Sequence, residues 1–242
     1  MSEQKRIAIV TGASRGLGLV IARVLATRGY SLVIGGRDRD ALELAAAELS
    51  RHSPDACQVA GDITDPQVRA NLIEAARRLG GLDLLVNNAS ELGPIGPLKS
   101  FDVPRLGRLF PVNVGAPLFL TQLAVPLLTD RRGLVVNITS DAATAAYPGW
   151  GPYGATKAAL ELLTRTLATE LGEQGVSAVL VDPGDMRTRM HQEAFPGEDI
   201  SDRPLPEVTA PFWSWLLDQN PEDIRGERFA AQHKDARWLQ RA

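Results

Sequence analysis

The chain has 242 residues, 44% hydrophobic and 23% charged, with a formal net charge of −3. Those proportions match folded globular domains, and the absence of a basic stripe argues against a nucleic-acid partner, whose phosphates would need one. Cys57 is the single cysteine, which excludes an intramolecular disulfide and a cysteine-based zinc cluster. His52, His191 and His233 stand far apart, so nothing points to a metal site. Residues 1–5 are polar and lead into an apolar run too short for a signal-peptide core. No segment reaches the roughly 18 apolar residues of a membrane span, and a cytoplasmic location without a membrane partner is expected.

Six short apolar runs punctuate the chain, at 7–11, 31–36, 57–62, 82–87, 133–139 and 176–181. They are rich in Val, Ile or Leu and mostly lack apolar/polar alternation, as strands buried on both faces do. Helix-like segments lie between them. The first, 16–28, keeps Leu17, Val20, Ile21, Val24 and Leu25 at helical spacing and stops at Gly29. The second, 40–50, is rich in Ala, Leu and Glu; Asp65 is an N-cap with Pro66 at the first helical position. A long patterned helix covers 153–171, and 226–231 reads as a last strand. The alternation predicts one domain over 1–242: a Rossmann-like, doubly wound parallel sheet of about seven strands with helices on both faces. Residues 94–104 form a loop, 184–211 a substrate loop or lid following a strand, and 1–5 and 232–242 peripheral tails.

The stretch Thr11-Gly12-Ala13-Ser14-Arg15-Gly16-Leu17-Gly18 joins the first strand to the first helix. Glycines there permit a sharp turn and a close approach by a pyrophosphate, which the helix N-terminus favours through its unpaired N–H groups and dipole. A P-loop is excluded, because Leu17 and Gly18 follow Gly16 where Lys and Ser/Thr would be needed. The spacing instead resembles T-G-x-x-x-G-x-G, the cofactor motif of the short-chain dehydrogenase/reductase family. At the end of the second strand, where an NAD site commonly places an acid, the sequence reads Gly35-Gly36-Arg37. Arg37 and Arg15 around a 2′-phosphate would each add a charge-assisted contact of roughly 1.5–3 kcal/mol, favouring NADP. The competing reading makes them solvated charges, with Asp38 partly neutralising Arg37.

Tyr153 and Lys157 stand four apart on one helical face. A nearby ammonium lowers a phenol's pKa and lets it exchange a proton with an alcohol or carbonyl oxygen. Ser140, thirteen residues earlier at a strand end, matches the family's catalytic serine, and Asn113 its water-holding asparagine. Asn87-Asn88-Ala89-Ser90 resembles the family's N-N-A-G element. Pro183-Gly184-Asp185-Met186-Arg187-Thr188 resembles P-G-x-x-x-T, which would grip the nicotinamide carboxamide. The resemblance thus implies a catalytic set of Asn113, Ser140, Tyr153 and Lys157. It implies cofactor contacts from Gly12, Ser14, Arg15, Gly16, Leu17, Gly18, Arg37, Asp62 and Ile63, with Asp62 meeting the adenine. Asn88, Ala89, Ser90, Tyr153, Lys157, Pro183, Gly184, Met186 and Thr188 complete that set.

Three departures stand out: Ser90 in place of the motif's last glycine, Pro111 and Pro117 flanking Asn113 and implying a kink, and a missing V-D-G-G ending. The implied function is an NADP(H)-dependent oxidoreductase acting on a carbonyl/secondary-alcohol pair, as a homo-oligomer. Glu91, Leu92, residues 141–150 and the loop 186–195 would wall a partly hydrophobic substrate. The alternative is an NADP-binding redox sensor or scaffold without turnover; a sugar-nucleotide epimerase or dehydratase fits less well, because its glycine spacing differs.

Overall fold

The computed structural model describes residues 5–53, 55–101, 103–233 and Trp238. Expectations for 1–4, 234–237 and 239–242 lie outside the described residues. Seven strands form one sheet: β1 (Ile7–Thr11), β2 (Ser31–Gly36), β3 (Ala56–Ala60), β4 (Leu84–Asn87), β5 (Leu134–Ile138), β6 (Ser177–Asp182) and β7 (Arg228–Ala230). Their order is β3-β2-β1-β4-β5-β6-β7, and every neighbouring pair is parallel. The winding reverses between β1 and β4, so a crevice opens beyond their carboxyl ends, where such sheets bind ligands.

Side chains of β1 alternate between two cores. Ala8 and Val10 join Ile21 and Leu25 of α1 (Gly16–Thr27), Leu42 of α2 (Arg39–Leu49) and Phe212 of α7 (Ala210–Leu216). Ile7 and Ile9 join Leu72 of α3 (Pro66–Leu79), Leu120 and Leu128 of α4 (Ala116–Arg131), and Ala168 of α5 (Gly151–Glu170). Burial on both faces explains why the strands read as unbroken apolar runs. Asp65 caps α3 by accepting from the Gln67 N–H at 2.8 Å, with Pro66 behind it.

The kink expected around Pro111 and Pro117 takes a specific form. Residues Pro111–Gly115 are a π-helical turn leading directly into α4, with the Ala116 N–H bonded to the Pro111 carbonyl. Pro117 has no N–H to give the Asn113 carbonyl four residues back, so the wider turn forms where α-helical bonding is already broken. The segment 111–131 has 21 residues, and an 18-residue window within it has a mean hydropathy of 1.4. By length and composition alone it is long and apolar enough to cross a membrane, which amends the expectation that no segment reaches the apolar length of a span. Its buried side, including Leu120, Ala124 and Leu128, packs in the second core.

Residues 184–211 hold two short elements, α6 (Arg189–Ala194) and a 3-10 turn, Pro206–Thr209. The loop 94–104 likewise contains the 3-10 turn Leu98–Ser100. The tail expectation needs correction at two residues. The Gln232 side chain donates to the carbonyls of Pro183 (2.9 Å) and Asp185 (2.8 Å). Trp238 packs its ring against Phe212 and Trp215. Phe212 is fully buried and also meets Trp213 and Phe229. Phe212→Ala is expected to cost about 3–5 kcal/mol, read in urea unfolding as a lower midpoint with an unchanged slope.

Candidate active site

The turn after β1 is built by close approach. Gly12 and Gly16 have φ of 65° and 56°, left-handed conformations that glycine adopts freely. A Cβ on Gly18 would lie 2.3 Å from the Gly12 carbonyl oxygen and 2.6 Å from Asn88 Nδ2, so only glycine fits there. Asn88 sews the turn to β4: its Nδ2 donates to the Thr11 carbonyl at 2.9 Å and to the Gly12 carbonyl at 3.2 Å. The Thr11 hydroxyl in turn accepts from the N–H groups of Asn88 and Ala89, both at 3.0 Å.

This cradle opens into a cavity of about 910 Å³ that runs from the end of β2 to Tyr153 and Lys157. Its length, its glycine floor and the helix N-terminus at its middle suit a dinucleotide. Every residue assigned to the cofactor from the sequence borders this cavity except Gly184, which borders an adjoining cavity of about 250 Å³. Ser140 also faces the smaller cavity, and Tyr153 lines both. Asn113 borders neither and is buried behind them.

The charged residues near the end of β2 are paired differently from expectation. Asp38 bonds Arg15 rather than Arg37, and its other carboxylate oxygen caps α2 through the Ala41 N–H at 3.1 Å. Arg37 bonds Glu91 at 2.6 Å. Arg108, which sequence reasoning missed, reaches both Glu91 (3.1 Å) and Asp62 (2.7 Å). Burial raises the Asp62 pKa, but hydrogen bonds from Thr64 and Arg108 outweigh it and bring the value down to about 2.

At the other end, Ser140 caps the 3-10 turn Asp141–Ala143, accepting from the Ala142 N–H at 3.2 Å. The first turn of α5 presses on that turn: a Cβ on Gly154 would lie 2.5 Å from the Ala142 carbonyl oxygen. This contact sets Tyr153 and Ser140 on the wall of the same cavity. Burial pushes the Tyr153 phenol well above its ordinary pKa, while the neighbouring Ser90 and Ser140 hydroxyls pull it down. Lys157 Nζ sits 5.6 Å from the Tyr153 ring centre and donates to the Ile138 carbonyl at 2.8 Å. Burial lowers its pKa to about 8, against the pull of Asp182.

Asn113 is held by its whole side chain. Its Nδ2 donates to the Glu91 carbonyl (2.8 Å) and Thr156 hydroxyl (3.1 Å), and its Oδ1 accepts from the Glu91 N–H (2.8 Å). Ser90, the departure from the family glycine, also donates to that Oδ1 at 3.1 Å. Its Cβ is accommodated, and its hydroxyl adds one more bond to the asparagine.

Behind Ser140 lies a buried charge cluster that the sequence did not reveal. Arg228 of β7 pairs with Glu161 at 2.8 Å and Asp182 at 3.1 Å, and donates to the Ser140 carbonyl at 3.2 Å. The three residues are distant in sequence, and only the sheet order brings β7 beside β6. Thr188, expected at the carboxamide, borders both cavities and caps α6, its hydroxyl accepting from the His191 N–H at 3.2 Å.

Fold and site together define a dinucleotide-binding oxidoreductase. A family model for short chain dehydrogenases matches residues 6–199. Gluconate 5-dehydrogenase of Gluconobacter oxydans (strain 621H) is 34% identical over 197 residues, covering 81% of this chain and 77% of its own. Among solved structures, a short chain dehydrogenase from Salmonella enterica serovar Typhi is similar at TM-score 0.84 and 30% identity, covering 95% of this chain and 97% of its own. An alcohol dehydrogenase from the archaeon Thermococcus sibiricus, complexed with 5-hydroxy-NADP, is similar at TM-score 0.83 and 29% identity, with coverage of 94% and 96%. The chain belongs to the short-chain dehydrogenase/reductase family: it is an oxidoreductase of small-molecule substrates that uses a nicotinamide cofactor.

Gly18→Ala is expected to weaken dinucleotide binding by tenfold or more, because the methyl group can be seated only by moving backbone that forms the cradle. Fluorescence titration with the reduced dinucleotide measures the loss.

Proposed function

We propose that the enzyme is an NADP(H)-dependent reductase of ketones or aldehydes in which Tyr153 is the general acid. The observation that carries this reading is the convergence of Ser140, Tyr153 and Lys157 at the junction of the two cavities. When bound, the cofactor supplies the hydride for the substrate carbon. Tyr153 gives its phenolic proton to the substrate oxygen, and Ser140 donates a hydrogen bond to that oxygen as charge develops on it. A phenol held protonated by burial suits proton donation, which favours the reducing direction. Lys157, still largely cationic at neutral pH with a pKa of about 8, stabilises the phenolate left behind. The raised Asp182, partly neutralised by Arg228, adds to the field that keeps that cation charged.

Preference for NADP follows from a comparison of magnitudes. The Arg15–Asp38 and Arg37–Glu91 pairs are solvent-exposed on at least one side, and exchanging such a pair costs about 0–1 kcal/mol. A 2′-phosphate offers each arginine a contact worth roughly 1.5–3 kcal/mol, so the exchange is favourable. The phosphorylated dinucleotide in the Thermococcus sibiricus enzyme supports the same reading. Exposed Phe119 and Leu123 on α4 and Leu162 on α5 support a homo-oligomer.

Two outcomes test the assignment. Tyr153→Phe is expected to lower carbonyl reduction by at least a thousandfold while the dinucleotide still binds, with stopped-flow reduction and titration read in parallel. Undiminished turnover would remove Tyr153 from the chemistry; binding with no turnover in the wild type across a ketone and aldehyde panel would favour the sensor or scaffold reading. Arg37→Ala is expected to raise the Kd for NADPH about 10-fold more than that for NADH. Equal losses would mean that this arginine does not read the 2′-phosphate.

A further inference from the structure

The smaller cavity has Ser140 and Tyr153 at one end and the lid helix α6 at the other. Its wall is largely aromatic. Trp150 stands edge-on to Tyr153 at 5.9 Å and tilted against Phe195 at 6.0 Å, and Phe195 packs on the His191 ring at 5.0 Å. Asp141, Asp182 and Asp185 border the space, and among the described residues no lysine or arginine does. Arg228 neutralises Asp182 from behind, whereas Asp141 is met only by hydroxyls, those of Ser140 (3.0 Å) and Tyr147 (2.6 Å).

His191 is the residue of this wall whose side chain the fold leaves unsatisfied. The side chain is only 11% exposed, and its Nε2 is buried without a hydrogen-bond partner. Nδ1 lies 3.8 Å from the Asp185 carboxylate. That neighbour favours the tautomer with the proton on Nδ1, which leaves Nε2 with a bare lone pair. A buried acceptor without a donor destabilises the arrangement that holds it, and here the arrangement is the lid over the substrate space. A ligand hydroxyl would remove that cost. Asp185 is met by Arg203 at 3.9 Å, but Asp141, which has no matching cation among the described residues, would repel a ligand anion.

We propose that His191 Nε2 accepts a hydrogen bond from a hydroxyl of the substrate, and that the cavity takes an uncharged, hydroxylated ketone or aldehyde with a flat apolar body. The proposal rests on the reading of Ser140 and Tyr153 as the reacting end. Trp150 and Phe195 flank the flat portion, and α6 carries the specificity-determining contact.

The test compares acetophenone, 3′-hydroxyacetophenone, 4′-hydroxyacetophenone and 4-acetylbenzoate. It uses kcat/KM from NADPH consumption and Kd from calorimetric titration of the enzyme–NADP complex. The better hydroxylated compound is expected to exceed acetophenone about tenfold in both measurements, and the carboxylate to rank last. In His191→Phe, which keeps a ring against Phe195 and removes the acceptor, the hydroxyl preference falls to about one. His191→Asn, which returns an acceptor, restores part of it. His191→Ala serves for the same comparison if the phenylalanine variant does not fold. A preference near one in the wild type, or one that survives removal of the imidazole, overturns the proposal. Hydroxyl-selective binding without turnover upholds it while counting against the carbonyl chemistry; turnover without hydroxyl selectivity does the reverse.

Discussion

Everything at the reacting end depends on how closely α5 approaches the turn after β5. Gly154 lets the helix settle on the Ala142 carbonyl, at a spacing that no side-chain carbon could occupy. From that seat Tyr153 shares the smaller cavity with Ser140, and one helical turn later Lys157 reaches the Ile138 carbonyl. The polar bonds behind them extend the same logic. Asn87 donates to Asn137 at 2.8 Å, and Asn137 to Thr164 of α5 at 2.7 Å, so β4, β5 and α5 are joined at the strand ends. Satisfied buried bonds of this kind define one arrangement among the many that apolar packing alone would tolerate.

Charge is handled differently at the two ends of the large cavity. Around the end of β2, Arg15, Arg37 and Arg108 make pairs that solvent reaches and that can be exchanged at low cost. Behind Ser140, Arg228, Glu161 and Asp182 are almost wholly enclosed, and removing one partner would leave an uncompensated buried charge. The first set is adaptable and the second is structural. A site that must admit and release a charged cofactor, yet hold its reacting groups still, is served by that division.

Much of this was legible in the amino-acid order. Strand–helix alternation announced the parallel sheet, and the glycine turn, Ser140, Tyr153 and Lys157 could be placed because each motif is local or tied to a strand end. The prolines around Asn113 were recognised as a disturbance, though not as a π turn, since that outcome depends on which carbonyl takes the Ala116 N–H. Arg108, Gly154, His191 and Arg228 were not assigned, because what distinguishes them is contact across elements far apart in the chain. Strand β7 illustrates the limit: its three residues carry a weak pattern, yet its position beside β6 delivers Arg228 to Ser140. Likewise 232–242 looked peripheral because nothing local reveals that Gln232 and Trp238 have partners elsewhere.

Those Gln232 bonds carry a mechanical corollary. They grip the carbonyls of Pro183 and Asp185, on either side of Gly184, whose φ of 71° suits glycine and where a Cβ would lie 2.9 Å from the Gln232 amide nitrogen. Residue 232, just past β7, and the segment that enters α6 are therefore tied to each other through one side-chain amide.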